Sequence, residues 1–439
     1  MPPAAHAATL LDRVAPVGPG PASQARGAAF ARRACAFAGP GCMVAVGYMD
    51  PGNWATAIAG GSRYGEALLA VVIASSIVAM LFQAAAVRLG LASGRDLAQA
   101  CRARFGRRTN LALWLLSETA IVACNLAEVL GMAIGLNLLL GVPMLAGVCI
   151  TVVDVMLVLA LQARGLRLVE TLVAALVTAI TLCFVAQLAW AHPSAHALAQ
   201  GLASAPRIVS DPGMLYLAVG IVGATVMPHN LYLHSAIVKT RRTSTDAGNI
   251  RSAIRWATAD STLALVLALF VNAAILVVAA TAFHRPGQAV VTELSDAYRL
   301  LSPSLGAGLA STVFGIGLLA SGLSASITGT LAGQVVMEGF MDIRLSPGKR
   351  ALFTRLLAIG PAALATAWYG DSGAGALLVF SQVVLSLQLP FALVPLLMFT
   401  TSRRSLGVHA FSRPVAGALW AAAALVIGLN VWLLAHLRG

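Results

Sequence analysis

A carboxylate, a proline and an amide stand close together inside an apolar stretch near the start of the chain. The segment GYMDPGNWATAIAGG, residues 47–61, contains Asp50, Pro51 and Asn53. Proline lacks a backbone donor and clashes with the preceding turn, so a helix must break there and free some carbonyl groups. A charge in such surroundings is costly, which makes Asp50 a functional candidate. These oxygens predict a cation site. Capping of the following helix half is the alternative role of Asp50, and the two roles are compatible.

The same pattern returns 177 residues later, in the segment AVGIVGATVMPHNLYLHSAIV. MPHN at 227–230 aligns with DPGN at 50–53, and Met227 stands where the first motif has Asp50. Each motif lies between two apolar halves, the first of which contains glycine. Oxygen ligands alone suit magnesium and calcium, whereas an added thioether favours manganese, iron, cobalt or cadmium. We therefore predict that Met227 is a ligand of a transition metal shared by the two motifs.

Membrane helices are the elements that must position these motifs. The 439 residues are 59% hydrophobic and 10% charged, with a mean hydropathy of +0.85, whereas soluble domains carry about 25% charged residues. A span takes about 20 apolar residues, and helices satisfy their own backbone hydrogen bonds in lipid. The alternating segments of a β-barrel are absent. We predict eleven spans, the first and sixth of them broken, over residues 37–62, 65–89, 111–140, 142–162, 169–191, 214–238, 257–283, 306–337, 352–370, 373–400 and 413–437.

The two broken spans indicate an internal repeat. They are the first and the sixth, so the two halves of the chain have opposite orientations in the membrane. This arrangement is typical of inverted-repeat transporters, in which paired discontinuous helices meet near the midplane. We predict a disordered, basic cytoplasmic tail over residues 1–36, a first repeat over 37–191, a second repeat over 214–400 and a final span over 413–437.

The net charge of +13 is explained by loops rather than by nucleic acid. Basic residues collect in the cytoplasmic loops of membrane proteins. With the N-terminus inside, 24 of the 29 Lys and Arg residues fall on the cytoplasmic side, and the C-terminus lies outside. The six cysteines have no metal or disulfide spacing. We predict a monomeric, multi-pass protein of the cell inner membrane that is surrounded by lipid and binds no nucleic acid.

Titratable groups inside the predicted bundle indicate a route for protons. His229 lies in the second motif and His234 follows five residues later; histidine titrates near neutral pH. Metal binding by a neutral imidazole is the second interpretation of His229. In the third span Glu118, Asn125 and Glu128 lie on one stripe about 80° wide, and such a stripe faces the bundle interior. Hydrogen bonds that hold the helices together are the alternative role of this stripe.

The two motifs resemble the signature sequences of the NRAMP family (natural resistance-associated macrophage proteins), in particular those of its bacterial proton-dependent manganese transporters. The likeness covers residues 37–405 and continues through LGLASGRDLAQACR, NLAEVLGMAIGLNLLLGVP, DSTLALVLALFVNAAILVVAA, ITGTLAGQVVMEGF and SQVVLSLQLPFALVPLLMFT. The resemblance implies an all-α integral membrane protein with eleven transmembrane helices and a LeuT-like 5+5 inverted repeat. It also implies import of manganese(II) or iron(II) together with protons, without a permanently bound cofactor.

The resemblance also assigns roles to single residues. The implied metal ligands are Asp50, Asn53, Met227, the carbonyl groups of Ala224 and Gly47, and Gln382. The implied proton pathway comprises Asp50, His229, His234, Glu118, Asn125 and Glu128, and leads towards Arg350 and Arg355 of the ninth span.

Two positions depart from the family pattern. Asn125 stands where the family has an aspartate before LAEV, and Leu323 changes ASGQ to ASGL. Because an amide does not exchange a proton in this pH range, we predict metal transport with altered proton movement. An uncoupled metal uniporter or channel-like pathway is the alternative. An intramembrane metalloenzyme would need a motif such as HExxH, which is absent. Met227 argues against a magnesium-transporting relative.

Overall fold

The computed structural model describes residues 39–242, 246–285, 289–342, 347–369 and 373–436. Ten stretches in this part of the chain are long and apolar enough to cross a membrane. One of them, Pro51–Ser93, contains the second half of the first predicted span and all of the second, separated by the 3-10 turn Gly65–Leu68. The eleven predicted spans are therefore all present. The tail predicted over residues 1–36 lies outside the described residues, and the predicted repeat boundaries stay a prediction.

The described chain contains seventeen α-helices, numbered here in chain order. The broken spans are α1 (Pro40–Gly47) with α2 (Pro51–Tyr64), and α9 (Pro212–Val226) with α10 (Pro228–Ile237). The unbroken spans are α3 (Leu69–Ser93), α5 (Arg107–Leu140), α6 (Met144–Ala163), α7 (Leu166–Ala191), α11 (Ala247–Phe283), α13 (Ala310–Met341), α14 (Pro347–Tyr369), α15 (Ala374–Thr400) and α17 (Arg413–His436). The connecting helices are α4 (Leu97–Arg104), α8 (Ala195–Ala203), α12 (Leu294–Leu305) and α16 (Arg403–Leu406).

Both broken spans restart at a proline. Pro51 and Pro228 are the first residues of α2 and α10, a position where the missing N–H has no helical partner to lose. Asp50 caps α2, because its Oδ1 accepts the backbone N–H of Asn53 at 2.8 Å. The capping role considered for Asp50 is therefore present. Met227 joins the other two halves with a φ of 20°, a backbone strain of about 1–3 kcal/mol that persists only where the surrounding structure imposes it.

The broken spans lie at the centre of the bundle. Every residue of α10 is buried, and α9 packs along α15 while α11 packs against α1, α2 and α3. The long helices α5 and α13 pack along each other beside them. The outer helices turn apolar side chains outwards, such as Trp368 and Leu157, which suits a surface that faces lipid tails.

Polar contacts hold the half-helices at both ends of the bundle. At one end, Asp260 of α11 accepts the backbone N–H of Gly41 at 2.7 Å, and Glu170 of α7 pairs with Arg241, which follows α10, at 2.8 Å. These contacts tie the start of α1 and the end of α10 to the surrounding helices.

At the other end of the bundle, Asp211 caps α9 through the backbone N–H groups of Met214 and Gly213. These bonds, the one from Met214 most strongly, hold the pKa of Asp211 below its usual value. Its Oδ1 also lies 3.3 Å from the hydroxyl of Tyr64 at the end of α2. One carboxylate therefore links the two half-helices on this side.

Candidate metal site

Side chains occupy most of the carbonyl groups that the first break exposes. The carbonyl oxygen of Tyr48 accepts hydrogen bonds from Nδ2 of Asn53 and of Asn272, each at 2.7 Å. The carbonyl oxygen of Met49 accepts from Oγ of Ser321 at 2.5 Å. These two carbonyls therefore fix the shape of the break.

The two carbonyl groups predicted as metal ligands stand in equivalent places. Gly47 precedes Pro51 by four residues, and Ala224 precedes Pro228 by four. In a continuous α-helix the donor to each of these carbonyls would be the N–H that proline lacks. The same chemistry thus frees one carbonyl acceptor in each broken span.

Five buried side-chain oxygens around the two breaks have no hydrogen-bond partner among the described residues. Each belongs to a residue no more than 4% exposed, and an unpaired buried polar atom costs about 1–3 kcal/mol. Such a concentration calls for a bound ligand or ordered water. The atoms are Asp50 Oδ2, Asn53 Oδ1, Asn230 Oδ1, Asn272 Oδ1 and Gln382 Oε1.

Gln382 of α15 lies against both breaks. A Cβ atom placed on Gly52, in the first turn of α2, would be 1.8 Å from its Nε2. A Cβ atom on Gly223, near the end of α9, would be 2.0 Å from its carbonyl oxygen. The Cβ atom on Gly223 would meet backbone, and the one on Gly52 would meet the buried Gln382 side chain, so glycine at both positions allows α15 to approach both broken spans closely.

Asn230 of α10 makes a second connection between the breaks. Its Nδ2 lies 3.5 Å from the carbonyl oxygen of Val44 in α1 and 3.5 Å from Sδ of Met227. A Cβ atom on Gly47 would be 2.2 Å from the same Nδ2. Met227 itself is fully buried, and it also packs against Cys124 and against α15. The sulfur of the second break therefore lies beside the end of α1.

The structure thus places all six residues predicted as metal ligands at the two breaks or on the turn of α15 that touches both. Ligation of a metal by these residues stays a prediction. A group of three His, Cys, Asp or Glu side chains that could hold a metal is absent from the described residues; the predicted set contains one such residue, Asp50.

A small cavity lies beside this centre, between α2, α3, α9 and α11. It contains two of the predicted ligand positions, Asn53 and Ala224, and one further residue with an unpaired oxygen, Asn272. Its wall is formed by Asn53, Thr56, Ala57, Val72, Ile221, Ala224, Thr225 and Asn272.

A chain of buried polar groups leads away from the second break. Nε2 of His229 lies 3.6 Å from Sγ of Cys124, which lies 3.5 Å from Oε1 of Glu128. Oε2 of Glu128 pairs with Nη1 of Arg355 at 3.2 Å, and Nη2 of Arg355 pairs with Asp154 of α6. The arginine is only 1% exposed. His229, Glu128 and Arg355, all predicted for the proton pathway, are therefore brought together.

Glu118 and Asn125 take different places on the same stripe. Glu118 pairs with Arg350 at 2.5 Å, whereas Nδ2 of Asn125 donates to the carbonyl oxygen of Ile121 in its own helix at 2.9 Å. Arg350 and Arg355 are among the 24 Lys and Arg residues predicted on the cytoplasmic side, and the structure places both inside α14 and buries them. Their carboxylate partners make this possible, because a buried charge needs a partner.

His234 lies apart from this chain of groups. Its Nδ1 is 2.8 Å from Oε1 of Gln83 in α3, and Nε2 of Gln83 donates to the hydroxyl of Tyr48 at 2.7 Å. His229 and His234 are five residues apart in a helix, so their side chains point in different directions. His229 faces α5 and His234 faces α3.

Five functional candidates were missed from the sequence. Asp154 had a clear signal, a carboxylate in the centre of the apolar run ITVVDVMLVLAL. For Asn230 the signal was its alignment with Asn53 in the match between DPGN and MPHN. Cys124, Gln83 and Asn272 have only their polarity within apolar spans, which does not reveal the helix that they face.

Two central helices, each broken at a proline and enclosed by unbroken helices, define the class of this protein: a multi-pass membrane protein of the inverted-repeat transporter type. The family described as natural resistance-associated macrophage protein-like matches residues 41–436. The chain belongs to this family.

Similar proteins agree in sequence and fold. A divalent metal cation transporter MntH of Bradyrhizobium diazoefficiens is 54% identical over 404 residues, which cover 92% of this chain and 90% of the relative. The protein of that name from Listeria innocua is 51% identical over 409 residues, 93% of this chain and 91% of the relative. The crystal structure of the Eremococcus coleocola manganese transporter matches with a TM-score of 0.85 and 38% identity, over 96% of this chain and 89% of that one.

Proposed function

We propose that the chain is a secondary active importer of divalent transition-metal ions, manganese(II) and iron(II) and also cadmium or cobalt, that works by alternating access and moves protons with the metal. The group of unpaired, buried oxygens beside the Met227 sulfur is the main support. Each of these oxygens can accept a hydrogen bond or coordinate a cation but cannot donate a hydrogen bond. The thioether favours softer ions than magnesium or calcium. The relatives named as divalent metal cation transporters agree with this proposal.

In this proposal the two carboxylate oxygens of Asp50 have different roles, one structural and one in metal binding. Oδ1 caps α2, and Oδ2, which has no partner, binds the ion and supplies the negative charge. Asn53, Met227, Gln382 and the carbonyl groups of Gly47 and Ala224 complete the set. Because each half-helix ends at the ion, movement of α1 or α9 relative to its other half would open the site to one side at a time.

Protons take a separate route in this proposal. Asp50 and His229 receive them near the metal, and Glu128 and Glu118, each paired with an arginine of α14, form the continuation. Asn125 lies between these carboxylates and cannot relay a proton. His234 contributes through Gln83 rather than through this chain. The hydrogen bond of Asn125 to its own helix favours a second candidate function, an uncoupled metal uniporter or a channel-like pathway.

We further propose that the protein is a monomer of the cell inner membrane with its N-terminus in the cytoplasm and its C-terminus outside. The ten apolar stretches support the membrane location. The uneven distribution of Lys and Arg along the sequence supports the orientation.

Uptake into proteoliposomes tests the proposal directly. We expect saturable uptake of manganese and cadmium, little uptake of calcium or magnesium, and uptake against a metal gradient when a proton gradient is imposed.

Asp50→Asn should lower manganese uptake at least about tenfold, the equivalent of about 1.4 kcal/mol, because the ion loses its only anionic ligand. Asp296→Asn, at an exposed position of α12, is the matched control and should transport normally. Full activity of Asp50→Asn would contradict the proposed site, and non-saturable, downhill flux would favour a channel.

A further inference from the structure

A cluster of cationic side chains lies where α3 ends, α11 begins and the connection between α15 and α17 passes. Nη1 of Arg88 in α3 donates to the carbonyl oxygen of His409 at 3.0 Å, and its guanidinium carbon lies 3.9 Å from the ring centroid of Phe411. Arg251, in the second turn of α11, is exposed. The end of α3 and the start of α11 are adjacent because Val87 and Ile250 share one apolar cluster.

The positive charges in this cluster act against protonation of His409. Burial and the nearby charges of Arg251 and Arg88 lower the pKa of His409, which places both arginines within electrostatic range of the imidazole. Neither arginine has a carboxylate within 4.0 Å in the described part of the chain. Nε of Arg88 is buried without a hydrogen-bond partner. Two neighbouring guanidinium groups without a carboxylate leave room for an external anion.

The surroundings of the cluster indicate the source of that anion. Val408, next to His409, is 73% exposed and belongs to a short connection between two membrane spans. Arg403 and Arg404 are exposed in the same connection. A phospholipid offers a phosphate to arginines and an acyl chain to an apolar neighbour at once, and juxtamembrane basic groups attract anionic lipids.

We propose that Arg88, Arg251 and His409 bind the headgroup of an anionic phospholipid, with Val408 against the start of an acyl chain. Arg88 is the fixed part of this lipid site, because Phe411 and the His409 carbonyl orient its guanidinium group. Arg251 is the adaptable part. The lipid would join α3, α11 and the connection that leads to α17. This proposal needs only the membrane location and is independent of which ion is transported.

Native mass spectrometry of the purified full-length protein tests the lipid site. Phosphatidylglycerol, phosphatidylcholine and inorganic phosphate are titrated separately. We expect at least one phosphatidylglycerol molecule to bind more tightly than phosphatidylcholine. Inorganic phosphate should not bind detectably, and in a separate thermal unfolding experiment it should not raise the melting temperature of the protein. Arg251→Gln should weaken phosphatidylglycerol binding about fivefold, as expected for one arginine near a membrane surface. Arg299→Gln, at an exposed position of α12 that is 66% accessible, should not weaken it.

Four results would overturn the proposal. Equal binding of the two lipids would exclude a preference for net negative charge. An unchanged affinity in Arg251→Gln, or an equal loss in Arg299→Gln, would exclude the location. Saturation by inorganic phosphate at the affinity of the lipid would show a soluble anion as the ligand. Because Arg251 lies on the surface, manganese uptake by Arg251→Gln serves to confirm that the variant is folded.

Discussion

Single residues carry the chemistry of this protein, and several of them serve two purposes. Asp50 caps a helix with one oxygen and leaves the other unpaired. Met227 joins two half-helices in a strained conformation and presents a thioether beside Asn230. In each case the residue that shapes the break is also the residue proposed to meet the ion, so a substitution affects geometry as well as ligation.

Met227→Ala tests the role of sulfur. In the proposed site, loss of the thioether leaves oxygen ligands alone, which suit calcium and magnesium better. We expect the preference for manganese or cadmium over calcium to fall about tenfold, about 1.4 kcal/mol, with a smaller loss of manganese uptake. Competition assays in proteoliposomes measure this preference. Met156→Ala, on the outer surface of α6, is the control, and an unchanged preference in Met227→Ala would rule out the sulfur as a selector.

Asn125→Asp tests the proposal that Asn125 interrupts a proton route. An aspartate between the Glu118–Arg350 and Glu128–Arg355 pairs supplies the titratable group that the amide lacks. We expect a severalfold increase in metal-dependent proton flux, while manganese uptake changes less. A pH-sensitive dye inside proteoliposomes reports the flux. Equal proton flux in the two proteins would mean that Asn125 does not limit the route.

At the scale of elements, close approach between helices depends on glycine. Gly52 and Gly223 let α15 bring Gln382 against both broken spans, and Gly131 of α5 accommodates Pro51, whose Cβ and Cγ atoms would each lie 2.2 Å from an added Cβ atom. The breaks are therefore held from two sides, by α5 and by α15. Glycine at these positions therefore lets the helices approach closely around the centre.

Gly223→Ala tests this packing. The added methyl group meets the backbone oxygen of Gln382, which cannot move away as a flexible side chain could. We expect a loss of about 1–3 kcal/mol in stability and a loss of manganese uptake. Gly417→Ala in α17 is the control, since nothing lies within 4 Å of its added atom; alanine there should be neutral or stabilising by about 0.5–1 kcal/mol. Thermal unfolding in detergent distinguishes the two, and equal melting temperatures would contradict the tight approach.

At the scale of the whole molecule, ion pairs between distant helices hold the bundle around its centre. Arg355 of α14 connects Glu128 of α5 with Asp154 of α6, and Glu170 of α7 pairs with Arg241 beyond α10. Removal of one partner leaves an uncompensated charge away from water, which is strongly unfavourable. These pairs therefore make the packing of the outer helices depend on the broken spans.

The number of spans makes a prediction for the whole chain. Eleven crossings would place the two termini on opposite sides of the membrane, and the distribution of Lys and Arg predicts that the N-terminus lies inside. A phosphatase fused after the last residue should be active, because it folds outside the cytoplasm, whereas a fusion after α16 should be inactive. The opposite pattern would reverse the proposed orientation, and activity of both fusions would contradict the span count.

The sequence by itself determined the class of the protein, the eleven spans and the two breaks. Hydrophobic length and the effect of proline on a helix are local properties, so they can be read without knowing which helices are neighbours. The match between DPGN and MPHN relates the two breaks without reference to any tertiary contact.

Only the tertiary structure decided which groups meet. It placed Gln382 against both breaks, inserted Cys124 between His229 and Glu128, and supplied Asp154 as the second partner of Arg355. It also separated His234 from His229, although both lie on α10. These contacts join residues that are distant in the chain, and they depend on how each helix rotates and packs against its neighbours, which the composition of a single helix does not specify.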